Sequence, residues 1–86
     1  MSVAHPPRVT VRYFAGARAA TGLDTEVRDA GTLDELVEQI VATHGEQLER
    51  VLTACSFLVD GTTTRDRSTA LAPGATVDVL PPFAGG

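Results

Sequence analysis

Between Thr32 and Gly45 the chain writes one amphipathic helix. Thr32 and Glu35 have capping-box spacing, in which each side chain satisfies the other residue's free backbone donor. Leu33, Leu36, Val37, Ile40 and Val41 recur at i, i+3, i+4, i+7 and i+8, one apolar stripe over about three turns. Gly45 stands where a left-handed C-terminal cap belongs. A single stripe of this width needs a sheet to bury it.

The flanking sequence supplies that sheet. Val9, Val11 and Tyr13 alternate with Thr10, Arg12 and Phe14, a period-2 pattern rich in β-branched and aromatic residues. Ala15 to Gly22 reads as a turn region, after which Thr25-Glu26-Val27-Arg28 resumes the alternation with Leu23 ahead of it. Leu48, Val51 and Leu52 suggest a second, partly helical piece. Phe57-Leu58-Val59 reads as a short buried strand ended by the Asp60-Gly61 turn, and Thr62 to Asp66 as its hairpin return. A Pro73-Gly74 turn precedes the last strand, Val77-Asp78-Val79-Leu80. Two strands, a helix and at least two more strands give an α+β fold of the ubiquitin-like β-grasp kind, a small mixed sheet crossed by one main helix. Residues 1–7, ending in Pro6-Pro7, are expected to form a mobile leader, 8–80 the domain and 81–86 a C-terminal tail.

Composition narrows the function. At 86 residues and 43% apolar the chain fits one small domain, with little material for an internal catalytic cleft. A net charge of −4 repels phosphate backbones, so nucleic acid is not expected as a partner. Cys55 is the only cysteine, which leaves no intramolecular disulfide and no cysteine-rich zinc site. No stretch approaches the roughly 20 apolar residues of a membrane span, and no secretion signal is visible, so a soluble cytoplasmic protein is expected. All seven basic residues are arginine.

The ending Pro81-Pro82-Phe83-Ala84-Gly85-Gly86 is ordered by residue type. Two prolines stiffen the exit from a strand, and bulk then falls to a bare glycine carboxylate. Proline limits the entropy lost on insertion into a narrow channel, and glycines let a partner's backbone approach closely. A carboxylate is a poor electrophile, and the chain carries no phosphate-binding loop and no HExxH or GxSxG motif with which to activate its own end. Activation is expected from elsewhere, and no metal site is expected.

Tyr13-Phe14-Ala15-Gly16-Ala17-Arg18 with Thr21-Gly22 resembles the first strand and turn of the MoaD/ThiS sulfur-carrier family. Leu71-x-x-Gly74-Ala75-Thr76-Val77, followed by Leu80-Pro81-Pro82 and Gly85-Gly86, resembles that family's ending. Ala75 and Thr76 replace an acidic pair common there, and Gly16-Ala17 replaces larger residues. The resemblance, strongest to the MoaD branch, implies a β-grasp small subunit of molybdopterin synthase. In that role Gly86 is adenylated and then thiocarboxylated, Gly85 provides clearance, and Ala84, Phe83, Pro82 and Pro81 form and aim the tail. It further implies no permanently bound cofactor, ATP consumed by an E1-like adenylating enzyme, a separate sulfur donor, and a large catalytic subunit as receiver. Phe14 and Leu80 hold the family's positions for apolar partner contacts. Carriage of sulfur to thiazole, cysteine or another metabolite uses the same tail, as does a ubiquitin-like protein modifier.

Other reactive residues have plainer readings. Cys55 beside Phe57-Leu58-Val59 suits core packing. His44 at the helix end suits the negative end of the dipole. Asp34, Glu35, Glu38, Glu46 and Glu49 suit a solvated face. His5 falls in the leader.

Overall fold

The computed structural model describes residues 5–82. Its elements are β1 (Arg8–Tyr13), α1 (Ala15–Thr21), β2 (Thr25–Asp29), α2 (Leu33–His44), α3 (Glu46–Leu52), β3 (Ser56–Val59), β4 (Thr62–Thr64) and β5 (Thr76–Leu80). The five strands form one sheet in the order β2-β1-β5-β3-β4. Its central pair, β1 and β5, is parallel, and the other pairs are antiparallel. A mixed sheet under one main helix is the α+β, β-grasp arrangement expected from the sequence.

Register divides the side chains into two faces, because directly paired residues point to the same side. Val9, Val11, Tyr13, Val77, Val79 and Phe57 face the helices and are buried. The stripe of α2 covers them: Leu33, Leu36 and Ile40 are at most 1% exposed, and each contributes about 1.5–3 kcal/mol by leaving water. The N-terminal cap of α2 forms with one exchange. Thr32 Oγ1 accepts the Glu35 amide at 3.2 Å, but the Glu35 carboxylate reaches back to the Gly31 amide, at 3.0 Å, and not to that of Thr32. At the other end Gly45 has φ 86° and ψ −166°. The cap is therefore the mirror image of an extended residue and not left-handed helix, a conformation open to glycine because it lacks Cβ.

The expected turn region is corrected too. Ala15–Thr21 is a helix, not a turn region. Its alanines are strong helix formers, Ala17 is fully buried, and the helix packs on α3. Gly22 at φ 75° closes it with a left-handed cap. The alternation of β2 also points the other way from its apolar residues. Val27 is 57% and Leu23 38% exposed, while Glu26 pairs with Val11 and Arg28 with Val9 on the helix side. As an edge strand β2 meets the polar end of α2, and its charged residues find partners there.

The Asp60-Gly61 hairpin has φ 49° and 85° at its two turn residues, the mirror-type turn that matches strand twist. Ahead of β1, the Pro7 carbonyl accepts the Ala30 amide at 2.9 Å.

Candidate carrier tail and docking face

β5 ends at Leu80, Pro81 is half-buried and Pro82 is an exposed turn residue. Phe83, Ala84, Gly85 and Gly86, the last four residues of the expected carrier tail, lie outside the described residues. Because β5 is the middle strand and pairs with β1 and β3, the start of the tail is fixed to the centre of the sheet.

Beside this exit lies the sheet face turned away from the helices. One row across it reads Thr25, Arg12, Asp78, Leu58 and Thr63, and the next brings Ser56 opposite Leu80. Phe14 joins that second row: its amide donates to the Val79 carbonyl at 3.2 Å, one residue beyond β1. Ala15 then takes φ 47°, a left-handed conformation that costs an alanine about 1 kcal/mol and turns the chain sharply into α1. Phe14 itself is extended, with φ −122° and ψ 149°, so it and Tyr13 point to opposite sides of the sheet. Tyr13 is buried in the core, whereas Phe14 stays half-exposed on the open face. Leu58 and Leu80 are likewise half-buried, so Phe14, Leu58 and Leu80 form an apolar group next to the tail exit.

At the centre of this face lies an ion pair the sequence reading passed over. Arg12 Nε donates to Asp78 Oδ1 at 2.5 Å and Nη2 to Oδ2 at 2.8 Å. The same guanidinium lies 5.7 Å from the centroid of the Phe14 ring, within cation–π range. The signal for Leu58 and Asp78 was strand parity: each stands between two core-facing residues, Phe57 and Val59 or Val77 and Val79.

On the opposite face, Glu26 gathers a polar cluster. Its Oε1 accepts from the Tyr13 hydroxyl at 2.5 Å and lies 2.9 Å from His44 Nε2, while Arg28 Nη2 lies 3.4 Å from Oε2 and donates to Thr43 Oγ1 at 2.7 Å. Burial raises the Glu26 pKa, but the hydrogen bonds from Tyr13 and His44 and the charges of Arg28 and His44 outweigh it and hold it below the usual value. Tyr13 is pushed up, first by burial and then by its bond to Glu26. His44, read as a dipole partner alone, thus has a specific acidic partner 18 residues away and an edge-on contact with the Tyr13 ring.

Cys55 is partly buried against the core. Burial raises its pKa, and its thiol donates to the Val51 carbonyl at 3.2 Å, so it is held as a protonated, weakly nucleophilic group. It lines a cavity of about 380 Å³ with Thr53, Arg65 and Arg67. The acidic residues of α2 and α3 are exposed, Asp34 pairing with Arg67 and Glu46 with Arg50. Among the described residues no group of three or more His, Cys, Asp or Glu side chains is placed to hold a metal ion. No helix among them is long and apolar enough to cross a membrane.

Known proteins share this fold. A molybdopterin synthase sulfur carrier subunit of Chlamydomonas reinhardtii is 31% identical over 83 residues, which span 92% of this chain and 99% of the relative. Among solved structures, the small archaeal modifier protein 1 of Methanosarcina acetivorans superposes with a TM-score of 0.83 at 20% identity, covering 96% of this chain and all of that one, and so shares the fold. A chain in the complex of subunits 1 and 2 of the molybdopterin-converting factor from Helicobacter pylori superposes with a TM-score of 0.69 at 25% identity, covering 92% of this chain and 99% of that one. The family model described as ThiS matches residues 11–86, a span running from the buried β1 through the open face to Gly85-Gly86, and this protein therefore belongs to the ThiS family.

Proposed function

We propose that this chain is the sulfur-carrying small subunit of a molybdopterin synthase, with Gly86 as the carrying residue. The observation that carries the reading is the near full-length match to a relative bearing that name, within a family span that includes both terminal glycines. The solved complex of subunits 1 and 2 supports a large catalytic subunit as the receiver, and the apolar group of Phe14, Leu58 and Leu80 beside the tail exit supplies a docking face. Aromatic residues are frequent anchors at such contacts.

The chemistry follows from what a carboxylate needs. An oxygen of the Gly86 carboxylate attacks the α-phosphorus of ATP on an E1-like enzyme, pyrophosphate leaves, and the acyl adenylate forms. A sulfide equivalent from a sulfur donor then displaces AMP and leaves a thiocarboxylate, whose sulfur passes to the pterin precursor on the large subunit. This chain's own contribution is presentation. β5 anchors the tail in the centre of the sheet, Pro81 and Pro82 set its direction, and Gly85 gives the partner's backbone room around the reacting end.

The test is reconstitution. Thiocarboxylated protein mixed with the large subunit from the same genome is expected to convert precursor to molybdopterin, and a chain lacking Gly85 and Gly86 is expected to bind the large subunit without conversion. Product formation by the truncated chain, or thiazole or cysteine synthesis in place of molybdopterin, would refute the reading.

A further inference from the structure

The open face carries a charge pair where the centre of an interface is usually apolar. Asp78 is only 7% exposed although it points away from the helices. Arg12 covers it with a bidentate contact through Nε and Nη2, which satisfies the carboxylate. Arg12 itself remains half in solvent, its side chain 49% exposed, and its Nη1 makes no hydrogen bond among the described residues. Phe14 stacks near the guanidinium, Leu58 is Asp78's register partner, and Leu80 lies in the adjoining row. The free edge of the guanidinium is thus a charged group on a face that holds Phe14, Leu58 and Leu80, with Thr25 and Thr63 at its margins. A partner that covers the patch strips water from those N–H donors. Buried charges left without partners are costly, whereas an acceptor opposite them forms charge-assisted bonds.

We propose that the Arg12–Asp78 pair is a specificity determinant of this docking face. It selects a large subunit whose covering surface sets a hydrogen-bond acceptor, a carboxylate or a backbone carbonyl, against the free edge of Arg12, and it disfavours surfaces that are apolar there. The inference rests on reading the open face as the docking face. Planarity matters here: the fork geometry lets one guanidinium hold Asp78 along one edge and offer another edge to the partner, which a lysine ammonium does not reproduce.

The experiment replaces the pair by apolar residues of similar bulk, Arg12→Leu with Asp78→Leu, and measures binding of the separately purified large subunit by calorimetry at about 0.05 and 0.5 M salt. Replacing such a pair together is often neutral or stabilising, so the double variant is expected to melt at or above the parent temperature. It is expected to bind about tenfold more weakly, as loss of a central anchor does. A salt dependence present in the parent and absent in the variant identifies the acceptor as a carboxylate, and equal salt dependence in both identifies a carbonyl. If the double variant does not fold, Arg12→Gln, whose amide still donates to Asp78, is measured in its place with the same expectation. Binding by the folded variant within about threefold of the parent, where Phe14→Ala weakens parent binding about tenfold or more, overturns this inference and leaves the docking face standing. Parent binding that Phe14→Ala leaves unchanged overturns the docking face, and this inference with it.

Discussion

Replacing Glu26 by glutamine tests whether the polar cluster fastens the edge of the sheet to the end of its helix. The carboxylate, 14% exposed, accepts from Tyr13 and His44 through one oxygen and faces Arg28 through the other. An amide keeps one acceptor, but its nitrogen then sets donors against the Arg28 guanidinium. Hydrogen bonds to a charged group contribute about 1.5–3 kcal/mol each and are not additive, so a net loss of about 2 kcal/mol is expected at pH 7. For a domain of this size that corresponds to a fall in Tm of roughly 8–16 °C, read by circular dichroism. The pH dependence has a definite sign. Glu26 titrates below its ordinary value when folded, so its contribution is full above the unfolded pKa of about 4.3 and is lost as pH falls through the lower, folded value. The gap between parent and Glu26→Gln is therefore expected to close in acid. A loss below about 0.5 kcal/mol at pH 7, or a gap that widens in acid, would show that the Glu26 cluster does not fasten β2 to α2.

Three further outcomes are expected. Ile40→Ala, at a fully buried position on the sheet-facing side of α2, is expected to cost about 2–5 kcal/mol by urea denaturation without a change in slope. Gly61→Ala meets no atom within 4 Å but inherits φ 85°, and is expected to cost about 1–2 kcal/mol through backbone strain alone, checked by thermal melting. Phe14→Ala is expected to weaken binding of the large subunit at least about tenfold, with equilibrium binding and melting measured on the same sample to separate docking from folding.

The α2 stripe, its N-terminal cap, and the strands at Val9, Phe57 and Val77 were legible because each repeats a short-range pattern that packing then obeys. The parallel pairing of β1 with β5 was not, since it joins residues more than sixty positions apart and no local signal encodes it. α1 escaped because one glycine and four alanines show neither period, and its burial rests on Ala17 alone. The outward turn of Val27 defeated simple alternation, because β2 is an edge strand whose helix-side neighbours are His44 and Thr43. At the site, Phe14 and Leu80 were named from family resemblance. Strand parity signalled that Leu58 and Asp78 face outward, but their meeting with Arg12 depends on the register that lays three strands side by side.

The proposed sulfur carriage turns on one terminal atom of Gly86. Intact and tandem mass spectrometry of the protein purified from its native host reads it directly: exchange of the terminal hydroxyl oxygen for sulfur adds about 16 Da, and fragmentation must place the gain on Gly86, since oxidation of Met1 or Cys55 adds a similar mass elsewhere. A fraction of the chain is expected to carry that increment on Gly86 and to lose it when the activating enzyme is absent. A Gly86 that remains an unmodified carboxylate while the host is making molybdopterin would contradict sulfur carriage on that residue.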